Sequence, residues 1–211
     1  MNKIKCFIFD QDGTFYPEES VLTNALRKKT KKWIMKRLSL NKKEVEKLYR
    51  KLPKKYPNAL EGFLSLGLSI KDYHKNVFDT IKPQKYLSKD KKLISTIKEL
   101  KREKFIVTFS SKKYSKALQK TLGIHKLIKR TYYSIDFLPK TSKLFVYEHI
   151  RKQNRLKRGQ ILIVGNNLEV DIIPALNKGY KAVLIGKPIK KAKVKSIKNI
   201  YNLLHIRDRE S

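Results

Sequence analysis

The apolar run CFIF at residues 6–9 stops abruptly at DQDGT, residues 10–14. A short run without polar alternation reads as a strand buried on both faces. Two carboxylates at its end cannot share that burial, so the chain leaves the sheet there through a turn that Asp and Gly favour. Any fold for this chain must therefore end a core strand on an acidic pair, Asp10 and Asp12.

Four more segments read as strands: FIVTF (105–109), TYYSI (131–135), ILIV (161–164) and KAVLI (181–185), while the first extends to Lys5. Helical patterns alternate with them. Ser88 is expected to cap a helix carrying Leu93, Ile94, Ile97 and Leu100 on one face. Others are expected over 113–122, ending at Gly123, over 142–152, and over 169–178, closed by Gly179. Such alternation predicts an α/β fold, a doubly wound parallel sheet. Residues 18–85 break the rhythm with helical stretches and no convincing strand, with Ser69 and Asp72 as a capping pair. They read as a small helical lobe inserted after the first strand, which divides the chain into a core of 1–17 and 86–211 and an insert of 18–85. Trp33, Ile34, Leu38 and Leu40 read as the core of that lobe. After Gly186 a basic run precedes an amphipathic segment (Ile197, Ile200, Leu203, Leu204) expected to pack back on the core.

The 211 residues suffice for one substantial core. Lysine and arginine number 51 against 18 acidic residues, a net charge of +33. Such a balance points to polyanions, nucleic acid or a phosphate-rich substrate. A coding bias towards Lys, Ile, Asn and Tyr is the favoured explanation of the lysines, though it accounts less easily for so few Asp and Glu. The lysines are spread along the whole chain, and no basic motif interleaved with aromatics stands out. No apolar run approaches the ~20 residues of a membrane span, and the first apolar run is too short for a secretory leader. The single cysteine, Cys6, reads as a buried thiol, and the histidines show no metal-ligand spacing. A cytoplasmic protein is expected.

Function in an open α/β sheet gathers at the carboxyl ends of the strands. Those ends carry Asp10 and Asp12, then Ser110 and Ser111, then Lys140 with Lys143 nearby, then Asn166, Asn167, Glu169 and Asp171. A carboxylate there can attack phosphorus and form an aspartyl-phosphate. A second, two residues on, can protonate the leaving oxygen and later activate water. Oxygens of Asp10, Asp12 and the fourth cluster suit Mg²⁺. Ser110 can hydrogen-bond a phosphoryl oxygen, and a lysine can offset the crowded negative charge. The spacing excludes an EF-hand, since Phe15 and Val21 occupy its Gly and Glu positions.

The ordered set FIFDQDGTFYP, Ser110, Lys140 and VGNNLEVDI resembles the haloacid dehalogenase superfamily of phosphotransferases over essentially the whole chain. Within it the sequence is most similar to the pyrimidine 5′-nucleotidase-like group, through YP after the first motif, SID before the lysine and DIIPALNKG after the fourth. The resemblance implies Asp10, Asp12, Ser110 and Lys140 as catalytic residues. It implies phosphate binding by Ser110, Ser111 and Lys140, and Mg²⁺ held by Asp10, Asp12, Asn166 and Asp171. The insert would be a substrate-selecting cap. Asn166 stands where the family usually has aspartate, Ser111 where Asn is common, and Thr141 where Pro follows the lysine. The spacing around the lysine is one residue short, which leaves Lys143 as the alternative to Lys140. The implied activity is Mg²⁺-dependent hydrolysis of a small-molecule phosphomonoester, a nucleoside monophosphate among the candidates. A dehalogenase is disfavoured because Asp12 supplies an acid that alkyl-halide chemistry does not need. The rival is a catalytically weakened member of the same fold that binds RNA or another polyanion.

Overall fold

The computed structural model describes residues 3–140, 142–188 and 194–207; Thr141 and most of the basic run after Gly186 lie outside them. Six strands, β1 (Cys6–Phe9), β2 (Glu103–Thr108), β3 (Arg130–Tyr133), β4 (Ile161–Gly165), β5 (Lys181–Ile185) and β6 (Ser196–Ile197), form one parallel sheet in the order β3-β2-β1-β4-β5-β6. The expected doubly wound α/β architecture is the observed one. The third strand ends at Tyr133 because Ser134–Phe137 turns into a 3₁₀ helix. The sixth is two residues long, too short to leave a periodic signal.

Successive side chains in a strand point to opposite faces, and both faces here are covered. Phe7, Phe9, Ile106, Leu162, Val164 and Val183 join one apolar cluster, while Cys6, Ile8, Phe105, Val107, Ile161 and Ile163 join the other. That double burial is why these strands lack polar alternation. Burial also pushes the Cys6 thiol up to about 12, which makes it unreactive at neutral pH.

Between β1 and β2 the chain forms α1 (Val21–Leu38), α2 (Lys42–Lys55), α3 (Ala59–Ser65) and α4 (Ile70–Asn76). Trp33, Phe63 and Tyr73 pack edge-on or tilted at their centre, with ring centroids 4.8–5.3 Å apart. Ser69 caps α4 by accepting from the Asp72 backbone amide at 3.3 Å. The aromatic contacts continue from Tyr73 to Phe78 and from Phe78 to Tyr114. They reach α6 (Lys112–Leu122) on the sheet.

The helix expected after Ser88 begins instead after Asp90. The Asp90 carboxylate accepts from Leu93 N at 2.8 Å, which sets the start of α5 (Lys91–Glu99). Asp and Ser are comparable caps; Asp90 is the one that stands directly ahead of the helix whose Leu93 and Ile97 are buried. The helix expected over 169–178 divides into a π-turn, Leu168–Ile172, and α8 (Ile173–Asn177). Pro174 lacks the amide that a continuous helix would need. In the tail, Ile200 and Leu203 are buried against the core as expected. Among the described residues no helix is long and apolar enough to cross a membrane.

On α7 (Lys143–Gln153), Glu148 accepts from Arg151, Arg158 and Tyr180 at 2.7–3.0 Å. The Arg158 hydrogen bond, followed by those from Tyr180 and Arg151, holds its carboxyl down from 4.5 to about 2 despite partial burial. A depressed folded-state value contributes stability above the unfolded value, and that stability is lost as pH falls from about 4.5 towards 2. Glu148→Gln is therefore expected to flatten the loss of stability over that window. Urea unfolding of both proteins between about pH 6 and 3 measures it, and identical slopes would rule the contribution out.

Candidate active site

The sheet order puts β1 beside β4 although β2 and β3 intervene in the chain. The crevice at such a reversal, beyond the carboxyl ends of the strands, is where open α/β sheets bind ligands. Asp10 follows β1 directly, and its amide donates to the Val164 carbonyl of β4 at 2.8 Å. Asn166 follows the end of β4.

Asp10 is buried, and both of its oxygens are engaged. Oδ1 accepts from Lys143 Nζ at 2.5 Å and Oδ2 from Thr14 Oγ1 at 3.1 Å. Lys143 also donates to Asp171 Oδ1 at 2.8 Å. The other Asp171 oxygen accepts from the Asn167 amide at 3.1 Å. Burial works against the charged form of Lys143, but the carboxylates of Asp10 and Asp171 more than reverse this and hold the ammonium charged. Gly165 is needed for this arrangement, because a Cβ there would lie 2.4 Å from Asp171 Oδ2.

Lys140 does not occupy this place. It lies exposed in the loop before α7, with Nζ 5.3 Å above the Phe145 ring. Lys143, which the spacing left as the alternative, is the first residue of α7 after the Ser142 cap and reaches back to Asp10. Where the helix begins decides which lysine points inward; the resemblance favoured Lys140, and the structure sets Lys143 against Asp10.

Asp12 turns away from Asp10 towards hydroxyls. It accepts from Ser110 Oγ at 2.5 Å, Tyr16 OH at 2.7 Å, Tyr114 OH at 3.1 Å and Thr108 Oγ1 at 3.4 Å. Burial raises its pKa, the hydrogen bonds from Ser110 and Tyr16 oppose that, and the Asp10 charge adds to it. Ser110 thus stands at the expected strand end, in contact with Asp12. Ser111 does not present its hydroxyl to the crevice. It caps α6 by accepting from Tyr114 N and donates to Asp79 at 2.5 Å.

Tyr114 and Glu18 join the site without having been singled out from the sequence, while Thr14 and Tyr16 stand within the first motif without an assigned role. Tyr16 and Thr14 had a signal, their closeness to the acidic pair. Tyr114 had none, since its approach to Asp12 depends on how α6 docks. Glu18 Oε2 accepts from Asn166 Nδ2 at 2.9 Å, and Glu18 Oε1 pairs with Arg27 of α1 at 2.5 Å. Burial raises the Glu18 pKa, Arg27 pulls it back, and the charges of Asp10 and Asp12 push it further up. Gly13, at φ +82°, lies beneath this contact. A Cβ there would stand 2.3 Å from Asn166 Nδ2 and 2.4 Å from Glu18 Oε2.

Among the described residues no three His, Cys, Asp or Glu side chains are grouped to hold a metal ion. The donors that could do so are mixed: the Asp10 carboxylate, the Asn166 amide oxygen and backbone carbonyls of the first loop. They are all hard oxygens, the chemistry that suits Mg²⁺ and not a softer metal. The Asp12 side chain accepts mainly from hydroxyls and the two Asp171 oxygens from Lys143 and the Asn167 amide, just as those of Asp10 accept from Lys143 and Thr14.

No curated protein matches the sequence. In fold the chain is similar to a HAD phosphatase from Thermococcus onnurineus, at 20% identity and a TM-score of 0.66 over 96% of this chain and 97% of that one. It is similar to the putative HAD-hydrolase YfnB from Bacillus subtilis, a structure bound to magnesium, at 14% identity and a TM-score of 0.64 over 98% and 100%. A 2-haloacid dehalogenase from Pseudomonas syringae matches at 14% identity and a TM-score of 0.60 over 99% and 100%. The model of the haloacid dehalogenase-like hydrolases matches residues 7–185. That span includes every strand end of the crevice, and the chain belongs to the haloacid dehalogenase-like hydrolase family.

Proposed function

We propose that the protein is a Mg²⁺-dependent phosphomonoesterase for a small phosphorylated metabolite, with nucleoside monophosphates the first class to try, after the sequence similarity to pyrimidine 5′-nucleotidase-like proteins. The observation that carries this reading is the contrast between the two aspartates. Asp10 is buried and faces an ammonium, whereas Asp12 is partly buried and faces hydroxyls. Two carboxylates in environments this different suit two roles, nucleophile and acid.

Asp10 attacks phosphorus, and the ester P–O bond breaks as the Asp10–phosphorus bond forms. Asp12 gives its proton to the departing oxygen. The resulting Asp12 carboxylate then takes a proton from water, whose oxygen attacks the aspartyl-phosphate and restores Asp10 and inorganic phosphate. Lys143 offsets the negative charge of Asp10 and phosphate held together. Thr14 fixes the orientation of Asp10, and Ser110 and Tyr16 fix that of Asp12. Bound Mg²⁺, held by Asp10 and Asn166, would neutralise phosphoryl charge and orient the phosphate. The helices of residues 21–76 would act as the cap that selects substrate.

A panel of phosphomonoesters with Mg²⁺ tests the activity. Asp10→Asn should abolish turnover while leaving the fold intact, and a cleanly purified mutant with comparable activity would sink the covalent mechanism. Lys143→Met should lower kcat/KM by roughly a hundredfold or more, in the range of other lost electrostatic donors. Lys140→Met should change it by less than about threefold. Equal losses in the two lysine variants would return the role to the loop.

A basic groove of about 500 Å³ favours the polyanion reading as a second one. Lys28, Lys29, Lys32, Lys36, Arg37 and Trp33 line it along α1. Lys28, Lys32 and Lys36 succeed one another at four-residue spacing with no ion-pair partner among the described residues. Like charges so placed repel, and a bound polyanion would relieve them. Generic RNA should then bind with an affinity that falls by orders of magnitude between ~50 and ~200 mM salt for 6–10 phosphate contacts. RNA that binds without inhibiting hydrolysis of a small substrate would separate the groove from the active site.

A further inference from the structure

The family usually places an aspartate where this chain has Asn166, so the crevice is one negative charge short for a divalent cation. The geometry points to Glu18, from the loop leading into α1, as the residue that supplies this charge and fixes Asn166 for metal binding. This rests on the Mg²⁺-dependent reading above.

Three observations converge on it. Asn166 Nδ2 donates to Glu18 Oε2 at 2.9 Å. An amide with its nitrogen so engaged has its oxygen directed elsewhere, and that oxygen is the only side-chain atom by which Asn166 can ligate a hard cation. Without Glu18 the amide is free to flip and present nitrogen instead. Second, Gly13 has no side chain where a Cβ would strike both Asn166 and Glu18. The two side chains therefore close directly over the loop between Asp10 and Thr14. Third, Arg27 Nη2 holds the other Glu18 oxygen at 2.5 Å. Both Glu18 oxygens are then occupied, so Glu18 acts as a positioning and electrostatic residue, one step removed from the ion. Its carboxylate, partly offset by Arg27, adds negative charge from outside the ligand set.

The arrangement predicts that positions 18 and 166 are not independent. Asn166→Asp alone would bring a carboxylate against Glu18 and remove the donor between them. The same change in a chain lacking the Glu18 charge would meet no such repulsion. Mn²⁺ serves as a paramagnetic stand-in for Mg²⁺, and its binding to the full-length protein can be titrated by electron paramagnetic resonance without any turnover.

Glu18→Gln keeps the shape and a hydrogen-bond acceptor but loses the charge, and should weaken Mn²⁺ binding by about threefold to tenfold. Glu18→Asp, which keeps the charge, should stay nearer wild type. Asn166→Asp should tighten binding by less than about twofold in the wild-type background and by about tenfold in the Glu18→Gln background. Thermal unfolding of each variant checks that the fold is kept. Equal Mn²⁺ affinity in wild type and Glu18→Gln, or the same gain from Asn166→Asp in both backgrounds, would overturn the role of Glu18 and leave the Mg²⁺ reading standing. A wild-type protein that binds no Mn²⁺ at millimolar concentration would overturn both.

Discussion

Lys143 Nζ lies 2.5 Å from Asp10 and 2.8 Å from Asp171, and all three side chains are less than a tenth exposed. Taking such charges out of water costs several kcal/mol per ion, and only close pairing with further hydrogen bonds offsets it. Thr14 and the Asn167 amide supply those further bonds. The triad joins β1, the start of α7 and the turn after β4, so its geometry requires the sheet, the helix and the turn to be in register together. Removing the shared lysine would strand both carboxylates as buried unpaired charge, typically a loss of about 3–5 kcal/mol, whereas Lys143 keeps Asp171 when Asp10 is changed. Glycine makes the fit possible, since Gly165 leaves the room that Asp171 fills.

The remaining architecture serves to bring these groups to one edge. Both faces of the sheet are covered, one by the cluster of Ile8, Val107 and Ile163, the other by a cluster that runs from Phe9 through Phe78 and Tyr73 to Trp33 in the insert. The helical insert therefore shares an apolar core with one face of the sheet. Polar contacts accompany it: Asn166 to Glu18, Ser111 at the start of α6 to Asp79, and the His74 ring to the Phe109 carbonyl. Tyr114 belongs to the aromatic path and also donates to Asp12. Packing of the insert and orientation of Asp12 thus share a residue.

The net charge of +33 takes a different meaning at the site and on the surface. At the crevice, carboxylates outnumber nearby cations, with Asp10, Asp12, Glu18 and Asp171 against Lys143 and Arg27. The excess positive charge lies elsewhere, including the lysine row of α1. A cationic exterior around an acidic centre would attract phosphorylated molecules over the surface.

Periodicity and motif positions were enough for five of the six strands, the parallel sheet, the helices between the first two strands and the positions of Asp10, Asp12, Ser110 and Asn166 at strand ends. Those features depend on local burial and on residues a few places apart, which a sequence displays directly. Helix starts were less legible, because Ser88 and Asp90 both qualify as caps and only packing against the sheet chooses between them. Lys143 instead of Lys140, the capping duty of Ser111, the docking of Tyr114 on Asp12 and the contact of Glu18 with Asn166 are decisions of the tertiary structure. Glu18 and Asn166 are 148 positions apart, and Lys143 and Asp10 are 133 apart. Such contacts follow from how elements dock, and no local pattern encodes which side chain of a helix turn will face a distant carboxylate.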